Sequence, residues 1–192
     1  MALLIACAAS GCIPAASARR GAPAPPPVLE IVFPLAADSA RFASGWGDGR
    51  PGGRSHQGQD IFVPRWTPIL ATVSGTVDWI TATLPRAERG YAVLLRGDDG
   101  HLYFYAHLNN DNPGSRDNRG GPRYAYARGL ENGDRVQAGD VLGYVGDSGN
   151  AEPAGPHLHF EIHRQSWGNA FDPAPSLRRA LERRQKERAG AR

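Results

Sequence analysis

Residues 91–108 read YAVLLRGDDGHLYFYAHL, two runs of strand-forming residues on either side of the short segment 97–100. Valine, tyrosine and phenylalanine favour extended backbone, whereas glycine and aspartate favour turns. The stretch therefore predicts a β-hairpin with a four-residue loop, in which each strand carries enough apolar side chains to cover one face of a sheet.

Similar runs continue on both sides of this hairpin. Residues 69–80 (ILATVSGTVDWI) are rich in β-branched side chains, with Gly75 marking a bend or bulge, and 136–145 and 157–163 predict further strands. The apolar residues of 28–175 do not recur with the 3.6-residue period of helices, which disfavours a parallel βαβ arrangement. The sequence thus predicts an all-β domain built from antiparallel sheets.

Composition divides the 192 residues into four segments. Residues 1–12 predict a signal and lipobox segment, 13–27 a disordered Pro/Ala-rich tether, 28–175 the folded domain, and 176–192 a basic C-terminal tail. Because the tail has few apolar residues, it predicts only a short helix.

The two cysteines of the chain, Cys7 and Cys12, both lie in the first segment, and small residues precede each of them. This segment resembles the lipobox of bacterial lipoproteins, in which a cysteine is acylated and becomes the mature N-terminus. Cys12 follows the longer apolar stretch and is preferred over Cys7, with two incidental cysteines as the alternative. The resemblance implies a protein of the cell envelope, in the periplasm or on the outer surface, held at a membrane by lipid. The longest apolar run, residues 2–9, is too short to cross a bilayer.

The net charge of +3 is concentrated at the C-terminus. Residues 176–192 contain seven Arg or Lys and two Glu, a net charge of +5, so the rest of the chain carries −2. Nucleic-acid-binding domains normally present a basic face on the folded body, so we expect no nucleic-acid partner. The segment 28–175 contains no cysteine, which excludes a disulfide, a thiol nucleophile or a thiolate-bound metal within it.

Three short motifs carry most of the histidines, at residues 56–60 (HQGQD), 105–108 (YAHL) and 155–161 (GPHLHFE). Because side chains alternate along a strand, His157 and His159 would project together from one face. The apolar residues between and after them would then enter the core.

His56 and Asp60 also share a face in extended geometry, with Gly58 between them leaving room for a ligand. Two imidazoles and a carboxylate on neighbouring faces suit Zn²⁺ with its fourth coordination position open. Each motif alone occurs by chance in many chains, as a strand with exposed histidines or as an unrelated His-x-x-x-Asp. Their joint occurrence in one small β domain favours a metal site.

The order of the motifs along the chain is specific. Together with TPILATVSGTV at 67–77 and GDVLG at 139–143, the three histidine motifs resemble those of the LytM/lysostaphin-type zinc metallopeptidases, family M23. The resemblance covers roughly residues 33–173. It implies a lysostaphin-like fold of the duplicated-hybrid-motif type, with a substrate groove formed by antiparallel sheets.

The same resemblance implies a zinc-dependent endopeptidase that hydrolyses peptide bonds in peptidoglycan stem peptides or cross-links. His56, Asp60 and His159 would be the zinc ligands. His107 and His157 would be the catalytic pair, with the division of roles between them left open.

Some members of the family that have lost ligands activate other wall hydrolases, so a wall-binding regulator that keeps a zinc site is the alternative. A zinc peptidase acting on secreted proteins is a third hypothesis. All five motif positions are retained here, which favours an active enzyme, and we expect a monomer. The polar loop 109–128 is long enough to shape one wall of the groove. His101 is expected to be structural, and Glu161 and His163 either support His159 or lie exposed.

Overall fold

The computed structural model describes residues 25–43, 45–81 and 89–191. The signal and lipobox segment at 1–12 lies outside the described residues, as does most of the tether at 13–27. Their boundaries therefore stay predictions. No helix in the described part of the chain combines the length and the apolar composition that a membrane span requires.

In the described part of the chain, short strands alternate with turns, and α-helix is confined to two segments. The strands, in chain order, are β1 (Arg41–Ala43), β2 (Gly49–Arg50), β3 (Arg54–Ser55), β4 (Gln59–Phe62), β5 (Pro68–Leu70), β6 (Gly75–Ile80), β7 (Tyr91–Gly97), β8 (His101–Leu108), β9 (Arg135–Val136), β10 (Val141–Tyr144), β11 (His157–Arg164) and β12 (Ala170–Phe171). The helices are α1 (Pro122–Ala125) and α2 (Ala174–Gly190), with 3₁₀ turns at Pro51–Gly53 and Gly149–Ala154.

Eight of these strands form one large antiparallel sheet. Its spatial order is β1-β4-β11-β8-β7-β6-β9, and β12 pairs with β11 beside this path. The hairpin predicted at 91–108 is β7 and β8. Two smaller sheets, β5 with β10 and β2 with β3, are also antiparallel. The prediction of an all-β domain of antiparallel sheets is confirmed.

Strand β11 brings distant parts of the sequence together. It pairs with β4 on one side and with β8 on the other, so that His159 lies opposite Asp60 and also opposite Ala106. Neighbouring strands lie only about 4.8 Å apart. An imidazole and a carboxylate separated by 99 positions in the sequence thereby become neighbours.

The core lies on one face of the large sheet. Leu158, Phe160 and Ile162 alternate along β11 and are fully buried, which confirms the predicted period-two pattern. Tyr103 and Tyr105 of β8 belong to the same buried cluster. Burial of a large apolar side chain contributes about 1.5–3 kcal/mol, so this face fixes the register of both strands. The opposite face carries polar side chains and a smaller buried apolar cluster.

The small sheet of β5 and β10 covers this core. Ile69 and Leu142 contribute fully buried side chains to it. The hydroxyl of Tyr105 accepts a hydrogen bond from the backbone N–H of Thr72 at 3.0 Å, and a second bond of 2.8 Å joins it to the Thr72 hydroxyl. The buried phenol is therefore satisfied, as buried polar groups must be.

Helix α2 docks the basic tail against the beginning of the folded domain, and the predicted C-terminal helix is confirmed. Leu177 is fully buried in the core. Arg183 pairs with Glu30 at 2.7 Å, and Arg188 pairs with Asp38. The acidic partners lie about 150 positions upstream, so part of the tail's charge is neutralised by segment 29–38.

Candidate metal centre

Three side chains converge on the polar face of the large sheet. Asp60 lies in β4, His159 faces it from β11, and His56 lies just before β4. His56 Nε2 is 2.9 Å from His159 Nδ1 and 3.3 Å from Asp60 Oδ1, and the third side of the triangle, His159 Nδ1 to Asp60 Oδ1, is 3.0 Å. Among the described residues, this is the group of His, Cys, Asp and Glu side chains arranged to hold a metal ion.

Hydrogen bonds fix which nitrogen each imidazole presents. His56 donates from Nδ1 to the carbonyl oxygen of Gly45 at 2.9 Å. His159 donates from Nε2 to Glu161 Oε1 at 2.7 Å. The remaining nitrogens, His56 Nε2 and His159 Nδ1, face each other and Asp60. Metal-binding histidines are typically oriented in this way by a carbonyl or a carboxylate.

The electrostatics of the site favour a cation. Burial opposes the charged form of Asp60, but hydrogen bonds, led by that from His159, hold the pKa of the carboxyl well below its usual range. Arg50 adds a 2.6 Å ion pair to the other carboxylate oxygen. Burial also opposes a charged His159, yet its bonds to Asp60 and Glu161 raise its pKa to about 9. Burial would raise the pKa of Glu161, but its histidine partners lower it to about 2. Both carboxylates therefore stay ionised.

The three ligand atoms lie close enough together to bind one metal ion. Ligands of a tetrahedral zinc ion with bonds of about 2.0–2.1 Å lie about 3.3 Å from one another. The observed separations are 2.9, 3.0 and 3.3 Å. Nitrogen and carboxylate donors suit this ion, and three protein ligands leave one position for solvent or substrate. His56, Asp60 and His159 are thus the residues that would hold it.

Two further imidazoles lie beside this triad. His157 donates from Nδ1 to the carbonyl oxygen of Gly155 at 2.8 Å, and His107 donates from Nδ1 to that of Ser148 at 2.9 Å. The centres of their rings are 4.9 Å apart, and His157 Nε2 lies 3.9 Å from Asp60 Oδ1. Burial lowers the pKa of His107 to about 3 and also lowers that of His157. Both are therefore neutral imidazoles near pH 7, each with a free Nε2.

His107 reaches the polar face because of an irregularity in the hairpin. Ala106 and Leu108 pair with consecutive residues of β7, so His107 between them is an extra, bulged residue. Its φ of 64° lies in the left-handed region that glycine usually occupies. In a regular strand His107 would share the core face with the other odd-numbered residues of β8. The bulge turns it toward the metal ligands instead.

The role predicted for Gly58 is wrong. A Cβ at this position would overlap the carbonyl oxygen of Phe160 and lie 2.9 Å from Cγ of Glu161. Glycine is required because the turn between His56 and Asp60 presses against β11, leaving no space for a ligand there. His56 also precedes β4 and does not share one extended strand with Asp60.

The five predicted site residues line a cleft of about 580 Å³, which supplies the expected groove. Among the other side chains that line the cleft are Arg50, Arg54, Arg89, Phe104, Glu161 and Trp167. No motif in the sequence points to Arg50 or Arg89. The only signal is the position of Arg50 shortly before the HQGQD motif.

A chain of hydrogen bonds continues from the triad along β11. Glu161 Oε2 accepts a bond from His163 Nε2 at 2.6 Å, and His163 Nδ1 accepts one from the backbone N–H of Gly168 at 3.2 Å. Glu161 and His163 are both buried, so of the two alternatives left open by the sequence they support His159. The alternation along β11 was sufficient to place them on this face.

Two other predictions concern residues away from the cleft. His101 does not line it, and its Nδ1 lies 3.2 Å from Asp99 Oδ2. Within the described residues, no side chain of loop 109–128 lines the cleft either. Asn118 of this loop donates to Glu152 Oε1 at 3.4 Å, in the 3₁₀ turn whose neighbouring residues do line it. The loop therefore contacts the surroundings of the cleft through that turn, and also through Arg65, which pairs with both Asp111 and Asp147.

Fold and motif order together define the class. The chain belongs to peptidase family M23, whose family model matches residues 54–173, and the resemblance noted in the sequence is confirmed.

Among individual proteins, the chain is similar to the L-Ala--D-Glu endopeptidase of Bacillus subtilis (strain 168), with 32% identity over 164 residues that cover 78% of this chain and 43% of that protein. It is 31% identical over 131 residues to the glycyl-glycine endopeptidase ALE-1 of Staphylococcus capitis, covering 67% of this chain and 30% of that one. The chain thus spans less than half of either relative. The solved catalytic domain of the antimicrobial peptidase lysostaphin from Staphylococcus simulans aligns with a TM-score of 0.55 and 29% identity, over 72% of this chain and 92% of the domain.

Proposed function

We propose that the chain is a zinc-dependent endopeptidase that hydrolyses a peptide bond in the stem peptides or cross-links of peptidoglycan. The observation that carries the proposal is the convergence of His56, Asp60 and His159 next to two neutral imidazoles whose Nε2 atoms are free. A catalytic metal site needs both parts, a set of ligands with an open position and a nearby proton acceptor.

The relatives support the type of bond. One is named for cleaving an L-Ala–D-Glu bond and the other for cleaving a Gly–Gly bond. Both are peptide bonds between small or acidic residues. We carry over to this chain the hydrolysis of a peptide bond in the cell wall and leave the choice of bond to the shape and charge of its own cleft.

Each group of the site has its own role in the proposed hydrolysis. Zinc held by the triad would supply Lewis acidity, which would activate water and polarise the peptide carbonyl. Either His107 or His157 accepts the water proton, and it does so at Nε2, because Nδ1 of each is committed to a backbone carbonyl. The imidazole that has gained the proton becomes a donor at Nε2, and it passes the proton to the leaving amine. The other imidazole is also an acceptor at Nε2 and would hold the second hydrogen of the water.

The test uses the purified full chain. Its zinc content is measured by mass spectrometry of the metal, and isolated sacculi are digested and their products identified by mass spectrometry. We expect zinc-loaded protein to release peptide fragments, chelation to abolish the release, and added zinc to restore it. His101→Ala, which alters a histidine outside the cleft, serves as the control and should cleave like the wild type.

The alternatives give different outcomes in this experiment. Zinc-loaded protein that releases nothing from any wall substrate contradicts the proposal and favours the wall-binding regulator. Cleavage of unfolded secreted proteins at rates above those for wall peptides favours the third hypothesis, a protease of secreted proteins.

For the whole protein we also propose export to the cell envelope, lipid attachment at Cys12 and action as a monomer. The support is the small-residue pattern before Cys12 and the Pro/Ala-rich composition of 13–27, which suits a tether between a membrane and a folded domain. Metabolic labelling with a lipid precursor, compared between wild type, Cys12→Ala and Cys7→Ala, tests the attachment site. Label retained in Cys12→Ala contradicts the choice of Cys12.

A further inference from the structure

A guanidinium lies against two aromatic rings in the wall of the cleft. The Cζ atom of Arg89 is 5.0 Å from the centre of the Trp167 ring and 5.6 Å from that of Phe104, and all three residues line the cleft. The two rings meet edge to face at 5.2 Å. The backbone of Arg89 is held as well, because its carbonyl oxygen accepts a hydrogen bond from the His107 N–H at 3.1 Å.

The charge of Arg89 is not neutralised within the described part of the chain, where no carboxylate pairs with it. The two carboxylates of the cleft already have partners. Asp60 pairs with Arg50, and Glu161 pairs with His159 and His163. Aromatic contacts favour a cation but leave the hydrogen-bond donors at the edge of a guanidinium available. An arginine in this situation is suited to receive an anion.

We propose that Arg89, framed by Phe104 and Trp167, binds a carboxylate of the peptide substrate. Arginine matches a carboxylate with two parallel hydrogen bonds, which gives both affinity and orientation. The inference rests on the proposed function, since it assumes that the cleft receives a wall peptide.

The position of Arg89 limits where that carboxylate lies. The Phe104 ring centre is 5.6 Å from the guanidinium and 6.3 Å from the ring of the candidate ligand His159. An extended peptide rises about 3.3–3.6 Å per residue. It therefore covers the distance from the Arg89 guanidinium to the His159 ring in at most about three to four residues. The substrate carboxylate therefore belongs to a residue close to the scissile bond.

A carboxylate-binding Arg89 distinguishes between the two kinds of bond that appear in the names of the relatives. The name of one contains an acidic residue and the name of the other only glycine. A γ-linked D-Glu in a stem peptide keeps a free α-carboxylate, whereas an oligoglycine bridge has no side-chain charge. Arg89 favours the acidic stem peptide as the substrate class.

The test compares the stem peptide L-Ala-γ-D-Glu-L-Lys-D-Ala with versions amidated at the D-Glu α-carboxylate, at the C-terminus, or at both. Calorimetric binding to the zinc-loaded, His107→Ala protein avoids turnover, and kcat/KM is measured with the wild-type chain. With Arg89 present, we expect the affinity and kcat/KM to be about tenfold higher for a peptide with the free carboxylate than for its amide. The singly amidated peptides identify which of the two carboxylates is recognised.

Arg89→Gln should bring this ratio to within about twofold of one while zinc content stays unchanged. Arg123→Gln is the matched control, because Arg123 also stacks on an aromatic ring, at 5.3 Å from Tyr124, but does not line the cleft. It should keep the preference. A ratio near one with the wild-type residue, or a preference that survives Arg89→Gln, overturns the inference.

The two readouts distinguish the two proposals. Preferential binding of the carboxylate without hydrolysis of any wall peptide refutes the proposed function and keeps the anion site. Hydrolysis with no carboxylate preference refutes the anion site and keeps the proposed function.

Discussion

His107 donates a hydrogen bond from Nδ1 to the carbonyl oxygen of Ser148 at 2.9 Å, and this bond determines which nitrogen enters the cleft. The serine is itself fixed, because its hydroxyl donates to the Leu108 carbonyl at 2.5 Å and accepts the Tyr91 N–H at 2.9 Å. The ring orientation of His107 is thus set by one short segment that follows β10. A base held in this way needs little rearrangement before it accepts a proton.

Replacing His107 by alanine or by glycine separates catalysis from backbone strain. Both variants lack the imidazole, and we expect both to keep near-wild-type zinc content and to lose about 10²–10⁴-fold in wall cleavage. Because φ at this position is 64°, glycine should be more stable than alanine by about 1 kcal/mol. Chemical denaturation measures the difference, and equal stability of the two variants would contradict a strained bulge.

Each histidine of the triad should be needed for metal affinity. His56→Ala and His159→Ala each remove one of three nitrogen or oxygen donors that lie within 4.8 Å of one another. We expect both variants to lose most of their zinc in competition with a chromophoric chelator, whereas His101→Ala retains it. Wild-type affinity in His56→Ala would show that the ion is held elsewhere.

Glu161 should tune the metal site without touching the metal. It accepts the Nε2 hydrogen of His159 at 2.7 Å, and loss of such a partner typically lowers metal affinity about 10–100-fold. The measurement is zinc titration of Glu161→Ala, with the exposed Glu131→Ala as the control. An unchanged affinity would mean that packing alone orients the His159 ring.

Gly58 should not tolerate a side chain. A methyl group there overlaps the Phe160 carbonyl oxygen, so Gly58→Ala should cost about 1–3 kcal/mol of folding stability and weaken zinc binding by moving His56. Gly49→Ala places its methyl in open space at an ordinary backbone conformation and should be close to neutral. Equal unfolding midpoints for the two variants would refute the close approach to β11.

A buried phenol gives a prediction on alkaline pH. Tyr126 bonds the backbone of Thr81 and Ala92, and its burial raises its pKa to about 12. An unfolded tyrosine titrates near 10, so the unfolded chain releases this proton first, and stability falls as the pH rises between about 10 and 12. The Tyr126→Phe variant has no phenol at this position, so it should not lose stability for this reason.

The stability gap between wild type and Tyr126→Phe tests this linkage. At pH 8 the wild type should be the more stable, because the variant leaves the bonded backbone groups without a partner. At pH 11 the gap should shrink by about 1.4 kcal/mol. Urea unfolding at both pH values measures it, and a constant gap would contradict the raised pKa.

Much of this arrangement follows from local sequence. The alternation in 157–163 assigns one set of side chains to the core and the other to the site, because a strand has only two faces. The hairpin at 91–108 follows from its turn residues. Both predictions depend on interactions between residues close in sequence, where periodicity and turn chemistry are informative.

The rest depends on register and on long-range pairing. A bulged residue in the left-handed conformation is usually glycine. Because residue 107 is a histidine, nothing in YAHL indicates the bulge. The contact of Gly58 with β11 and the partners of Arg188 join segments roughly 100 to 150 positions apart. Such contacts are fixed by tertiary packing, which sequence patterns do not record.

The ion pairs between α2 and the segment 29–38 have a mechanical consequence. That segment lies between the Pro/Ala-rich residues and β1, so tension applied along the N-terminal chain meets Glu30 and Asp38 before it meets any strand of the large sheet. Their arginine partners lie on a helix that does not line the cleft. A pull along the N-terminal chain would therefore act on these ion pairs, and on the buried side chains of the same segment, before it reached β1.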